Sequence, residues 1–170
     1  MPQIRYATLE DAAAISAMAT STFSNTYAAY NTPEDMEQYI QQHFSLAHIQ
    51  NELADENVAT LLATDNNSIM GYAKVAAGSA PNNVHKGKAL EIARLYAVTA
   101  HIGKGIGKLL IEHCFEHAKK VGAQYIWLGV WQQNIRAIRF YKQFGFQITG
   151  SYTFVLGNDE QQDYIMELVL

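Results

Sequence analysis

The sequence predicts an α/β fold built on a mixed sheet, and three observations predict it. Strand-like and helix-like stretches succeed one another in the order β-α-α-α-β-β-β-α-β-α-β-β. A three-glycine corner, Ile102-Gly103-Lys104-Gly105-Ile106-Gly107, joins an apolar strand-like run to an apolar helical one. A second apolar run, Tyr125 to Val130, has the continuous hydrophobicity of a central strand and leads to a helix that opens at Asn134.

The elements follow in order. Residues 3–7 read as a short first strand. Thr8-Leu9-Glu10-Asp11 spaces a helix N-cap from an acid at the third helical position, and Leu9, Ala12, Ile15 and Ala19 then share one helical face. Thr32-Pro33-Glu34-Asp35 starts a second helix, with proline at its first position, running to about Phe44; a third covers 46–55. Val58 to Ala63 and Ile69 to Ala77 are strands around the polar turn Asp65-Asn66-Asn67, and 89–98 is a mostly apolar strand. Gly105 to Val121 is a long helix. The helix from Asn134 ends near Gly145, which suits a glycine C-cap, and 146–156 and 161–169 are the closing strands. With no repeat, low-complexity tract or linker, the expected organisation is a single domain over residues 1–170.

Composition narrows the function classes. The net charge of −4 argues against general nucleic-acid binding, and no apolar run reaches the ~20 residues of a membrane helix. Met1-Pro2-Gln3-Ile4-Arg5 lacks the layout of a signal peptide, and Cys114 is the only cysteine, so a cytoplasmic location is the expectation. Charge is unevenly spread: residues 1–65 hold nine acids and one base, whereas residues 101–145 hold seven bases and two acids. Either one segment is built for an anion and its neighbours for a cation, or this is solvated surface charge.

The glycine corner is chemically the most pointed feature. Its glycines let backbone N–H groups converge, and the following helix adds unpaired donors and the positive end of its dipole. Such a corner binds phosphate.

Residues 95–107, Leu-Tyr-Ala-Val-Thr-Ala-His-Ile-Gly-Lys-Gly-Ile-Gly, and residues 134–146, Asn-Ile-Arg-Ala-Ile-Arg-Phe-Tyr-Lys-Gln-Phe-Gly-Phe, together with the element order, resemble the GCN5-related N-acetyltransferases over essentially the whole chain. That family's patterns are Gln/Arg-x-x-Gly-x-Gly/Ala and Asn-x-x-Ala-x-x-Phe-Tyr-x-x-x-Gly-Phe. The stretches Trp127 to Trp131 and Leu156 to Asp163 are similar to bacterial spermine/spermidine N-acetyltransferases of the PaiA type. One departure is Ile102, where the family pattern has Gln or Arg; His101 beside it is either a partial substitute or a solvated loop histidine.

The resemblance implies a mostly antiparallel central sheet flanked by helices, with one splayed strand pair holding the arm of acetyl-CoA. The pyrophosphate falls to the N–H groups of Gly103, Lys104, Gly105, Ile106, Gly107 and Lys108, and the arm to Leu95, Tyr96 and Val98. Asn134 and Lys142 complete the expected cofactor set, with Arg139 a further base for the nucleotide end. By the same resemblance Tyr141 is the general acid, a phenol that keeps its proton at neutral pH. A primary alkylamine needs a base before it can attack, and Glu91 is the candidate, with a salt-bridged strand-edge carboxylate as the competing reading. The expected acceptor is a small amine, foremost a polyamine, with Glu34, Asp35 and Tyr30 in the substrate set and Glu37, Tyr27 and Tyr39 beside them. Dipole-favouring helix acids and ordinary aromatic packing explain the same residues. A peptide or protein amine and a non-catalytic acyl-CoA sensor are the alternative functions, and the assembly stays open between a monomer and a homodimer, the state many relatives adopt.

His113-Cys114-Phe115-Glu116-His117 matches the His-x-x-Glu-His zinc pattern. It falls within the helix that opens at the glycine corner, and such matches arise by chance on helices, so no metal is expected.

Overall fold

A computed structural model describes all 170 residues. The elements are β1 (Gln3–Tyr6), α1 (Ala12–Tyr27), α2 (Pro33–Phe44), α3 (Leu46–Ala54), β2 (Val58–Asp65), β3 (Ser68–Ala77), β4 (Ala89–Ala97), α4 (Ile106–Lys120), β5 (Tyr125–Trp131), α5 (Ile135–Gln143), β6 (Gln147–Leu156) and β7 (Asp159–Val169). Element order and type follow the sequence reading, and the helix starts show why. The backbone N–H of Thr8 donates to Asp11 Oδ2 at 2.8 Å, the N–H of Asp35 to Thr32 Oγ1 at 3.2 Å, and that of Ala137 to Asn134 Oδ1 at 3.1 Å. Each opening turn thus has a local partner for an otherwise unpaired group.

The strands form one seven-stranded sheet in the order β1-β2-β3-β4-β5-β7-β6. Every pairing is antiparallel except β4 with β5. That parallel pair is short: only Ala89, Leu90 and Glu91 meet Tyr125, Ile126 and Trp127, after which the strands part. A bulge helps to turn β4 away, since Lys74 and Val75 of β3 face Arg94 and Ile92 and leave Ala93 without a partner.

Strand alternation gives the sheet two faces. One carries Leu90, Ile92, Ile126, Leu128 and Val130 into the core beneath α4 and α5, where Leu110, Ile111 and Cys114 are fully buried. Burial in this apolar layer pushes the Cys114 thiol up to about 12. The other face carries Tyr72 and Tyr96 beneath α1, α2 and α3, together with Ile15, Phe23 and Phe44. On this side Arg94 is held by Glu52 through two hydrogen bonds of 2.8 and 2.9 Å, and Lys74 reaches the same carboxylate at 2.5 Å. No helix is long and apolar enough to cross a membrane.

Candidate functional site

Where β4 and β5 part, a cleft of about 680 Å³ opens between the diverging strands, α1 and the N-termini of α4 and α5. Its lining includes Leu95, Tyr96, Ala97, Gly103, Gly105, Gly107, Lys108, Trp131, Asn134 and Tyr141. The glycine corner and the helix that opens at Asn134, remote from each other in sequence, therefore meet at one cleft.

The corner is a cluster of free donors. Gly103 and Gly105 hold φ of 81° and 84°, a region that side chains disfavour, and a Cβ on either would face open space. Leu109 is the first residue of α4 whose N–H finds a carbonyl, that of Gly105 at 3.0 Å. The N–H groups of Gly103, Gly105, Ile106, Gly107 and Lys108 have no backbone partner. Lys104 is an exception to the expected set, because its N–H already donates to His101 O at 3.2 Å. Gly107 lets α4 lie against the Phe140 ring, which a Cβ would meet at 3.3 Å.

Register corrects the expected arm contacts on β4. The N–H of Val98 donates to Met70 O at 2.9 Å, toward β3. In an antiparallel ladder, residues two apart point their backbone groups the same way, so Tyr96 also faces β3. Leu95 and Ala97 face the opening instead, where no strand pairs with them. Of the expected Leu95, Tyr96 and Val98, only Leu95 offers its backbone to the cleft. Ala97 joins it, and Tyr96 contributes its side chain.

Tyr141 lines the cleft from α5, with its ring edge-on to Phe140 at 5.3 Å and Phe146 at 5.8 Å. Burial drives its hydroxyl well above the usual phenol range, so it stays protonated at any physiological pH. Glu91 stands opposite Trp127 on the last paired rung, at the apex of the opening rather than on the cleft lining. Burial raises its carboxyl above the usual range, against a smaller opposing pull from Lys74 and Arg94. No lysine or arginine comes within salt-bridge distance of it, which removes the salt-bridged reading.

The expected substrate residues separate. Tyr30 lines the cleft and sets its ring edge-on to Trp131 at 5.0 Å. Glu34 and Asp35 do not line it. They occupy the first turn of α2, Glu34 exposed and Asp35 half-buried against Gly157 of the β6–β7 turn, because a helix N-terminus attracts acids on its own account. Lys142 is likewise corrected: it is exposed at the far end of α5, beside Gly145 and Gln147, whereas Arg136 in the first turn of α5 reaches the cleft. His113 and His117 are engaged separately, His113 Nδ1 with Leu109 O and His117 Nδ1 with Tyr6 Oη, each at 2.9 Å.

Sequence reasoning gave no role in the site to Trp131, Tyr152 or Asp163, although Trp131 and Asp163 close the two stretches that carry the PaiA likeness. Trp131 pairs in register with Asp163, and Asp163 with Tyr152, so the three side chains share the β4 Tyr96 face of the sheet. Tyr27 of α1 covers Trp131 at 5.8 Å. Asp163 is only 8% exposed, accepts from Tyr152 Oη at 3.4 Å through Oδ2, and has no partner for Oδ1. Burial pushes its carboxyl up to about 6, against the lowering effect of Tyr152. One signal was legible: in β7, Asp163 falls in the same alternation phase as the buried Ile165.

The chain matches the acetyltransferase (GNAT) family over residues 18–146. It is 32% identical over 158 residues to an N-acetyltransferase of Mycobacterium bovis, covering 93% of this chain and 97% of that one. Over a shorter stretch of 62 residues, 36% of this chain and 41% of the relative, it is 36% identical to the spermine/spermidine N(1)-acetyltransferase of Bacillus subtilis. Among solved structures, the PaiA N-acetyltransferase of Thermoplasma acidophilum in complex with coenzyme A superposes with a TM-score of 0.82 at 25% identity, covering 100% of this chain and 99% of that one.

Proposed function

This chain belongs to the GNAT family and is an acetyl-CoA-dependent N-acetyltransferase, and from that premise we propose that its acceptor is a polyamine of the spermidine type. The observation that carries the reading is the charge of the sheet face around the apex of the cleft. Its two cations, Arg94 and Lys74, are both held by Glu52, while Glu91 and Asp163 have no cationic partner. Tyr27, Tyr96, Trp131 and Tyr152 surround this acidic region with aromatic surface, which suits alkyl segments and ammonium groups. The partial likeness to the Bacillus subtilis spermine/spermidine enzyme points the same way.

The residues present fit acetyl-CoA, which when bound supplies an acetyl group activated as a thioester. Five free N–H groups at Gly103 and residues 105–108, with the positive end of the α4 dipole, hold an anion. The unpaired β4 edge at Leu95 and Ala97 accepts an extended arm as an added strand. Lys108 and Arg136 add positive charge at the rim.

Two proton sites remain for the chemistry. A primary amine with a pKa of ~10 must lose a proton before attack, at roughly 4 kcal/mol at pH 7. Glu91 Oε, at the apex of the opening and without a cation beside it, takes that proton directly or through water. Tyr141 Oη, protonated throughout the working range, is the proton source at the sulfur end.

A thiol-release assay from acetyl-CoA across spermidine, spermine, short diamines, amino acids and basic peptides tests the proposal. Spermidine or spermine is expected to show the highest kcat/KM. Faster turnover of peptides with inert polyamines would reassign the acceptor, and cofactor binding with no release across the panel would mark a sensor.

A further inference from the structure

Asp163 is used by neither the fold nor the two proton sites, yet its burial is costly. A carboxylate taken out of water without a cation is retained only where something compensates it. Here the compensation within the protein is incomplete: one long hydrogen bond from Tyr152 reaches Oδ2, and Oδ1 has none. One pleat along β7, Gln161 is 7% exposed and its Oε1 is also unpartnered, while its amide nitrogen is occupied by Asp159 Oδ2 at 2.8 Å. Both orphans on this stretch of the face are therefore acceptors. A ligand that satisfies them must bring donors, and one that neutralises Asp163 must bring a positive charge.

The surrounding side chains have the chemistry for such a ligand. Trp131 and Tyr152 flank Asp163 in register on either side, and Tyr27 closes over Trp131. Gly129 is part of the device: a Cβ there would collide with Tyr152 Oη, so the glycine admits the hydroxyl over β5, toward the apex where Glu91 stands. Residues two apart in a strand are separated by about 6.8 Å, a distance of the order spanned by two nitrogens joined through four methylenes.

We propose that Asp163, with Gln161 beside it, is the subsite that receives the second, non-reacting ammonium of a diamine or polyamine acceptor and so sets the preference for diamines over monoamines. This rests on the reading of the chain as a polyamine acetyltransferase. The reacting nitrogen then lies toward Glu91 and the cleft, and the distal ammonium lies in the Trp131–Tyr152 box.

The test compares 1,4-diaminobutane with n-butylamine, acceptors of equal chain length that differ by one ammonium group. In the wild type the diamine is expected to have the higher kcat/KM. Asp163→Asn, which keeps the shape and removes the charge, is expected to lower the diamine-to-monoamine ratio at least 30-fold, chiefly through KM. Gln161→Leu is expected to lower it about threefold and serves if the first variant does not fold. A ratio unmoved in a folded Asp163→Asn enzyme overturns the proposal. So does an equal loss of kcat for both amines, which would make Asp163 part of the proton path. If the wild type acetylates neither amine while turning over peptides, the polyamine reading itself has failed and the subsite falls with it.

Discussion

The two sides of the cleft are made of different material. The proposed cofactor side is main chain: free N–H groups at Gly103 and residues 105–108 and a strand edge at Leu95 and Ala97. The proposed acceptor side, around the apex of the cleft, is side chains: Glu91, Trp131, Tyr152, Asp163, Tyr27 and Tyr96, drawn from β4, β5, β6, β7 and α1. Backbone donors are indifferent to the side chains that carry them unless one is too large or wrongly charged. That is why Ile102 at a position the family pattern gives to Gln or Arg leaves the corner's donors in place. A cofactor shared by many enzymes can be read this way, whereas an acceptor that differs between them has to be read by side chains. Substitutions on the two sides are therefore expected to fail differently.

The largest effect is expected on the main-chain side. Gly105→Glu forces a side chain into a φ of 84° and sets a carboxylate among donors arranged for an anion. A left-handed backbone costs about 1–2 kcal/mol for an ordinary residue, and charge repulsion adds to it. Coenzyme A affinity, measured by calorimetry, is expected to fall at least about 100-fold, or ~2.7 kcal/mol. Nothing lies within 4 Å of the new Cβ, so the thermal midpoint should fall only by the few degrees that this backbone cost implies. Unchanged affinity would mean that the anion binds elsewhere, and the comparison would collapse.

Tyr141→Phe probes the seam between the two sides. It keeps the packing on Phe140 and Phe146 and removes only the hydroxyl, and with it the proton. Turnover is expected to fall at least about tenfold, below the ~100-fold or more that general acid catalysis often contributes, because water can replace part of it. Coenzyme A affinity should stay within a few-fold. Parallel losses in both would make the tyrosine a packing residue.

The same contrast explains what could be read from the chain in advance. Helix starts were legible because Thr32 and Asn134 cap with their own side chains and the Asp11 carboxylate accepts from the Thr8 N–H, local interactions that leave a local mark. The glycine corner was legible for the same reason: loop and helix N-terminus are contiguous. The direction of backbone groups on β4 was not, since it depends on register with β3 and on the bulge at Ala93. Glu34 and Asp35 misled because acids at a helix start look alike whether they serve a ligand or the dipole. Asp163 and Tyr152 are joined only by the β6–β7 register, so their meeting has no short-range signature.

Stability separates the sides further. Ionisation of Asp163 opposes folding, because its folded-state pKa of about 6 lies above the ~3.9 of an unfolded aspartate. The penalty is complete above pH 6, fades between 6 and 4, and is absent below. The groups around it, Tyr27, Tyr39, Tyr152 and Glu91, provide no positive charge to offset it. Asp163→Asn is therefore expected to raise the thermal midpoint at pH 8 by about 3 °C, the response of a domain this size to ~1 kcal/mol, and to leave it unchanged at pH 4. A loss of stability at pH 8 would show the carboxylate to be a structural partner rather than a group held in reserve for a ligand.

The smallest effect comes from the charged rim, where side chains do act on the cofactor side. Arg136 reaches the cleft from the first turn of α5, and Lys142 sits two turns further on, facing away. Both are exposed, so neither can exceed the ~0.2–1 kcal/mol of a solvated ion pair. That range corresponds to a factor of about 1.4 to 5 in affinity. Arg136→Ala is expected to raise the KM for acetyl-CoA about threefold at low salt, with the difference shrinking at 0.5 M salt as screening shortens the reach of the charge. Lys142→Ala should leave KM where it was. If Lys142 proved the more important of the two, the nucleotide end would have to run along the outer face of α5. If Arg136→Ala cost tenfold or more, the cofactor side would depend on a side chain as heavily as the acceptor side does, and the distinction between them would lose its force.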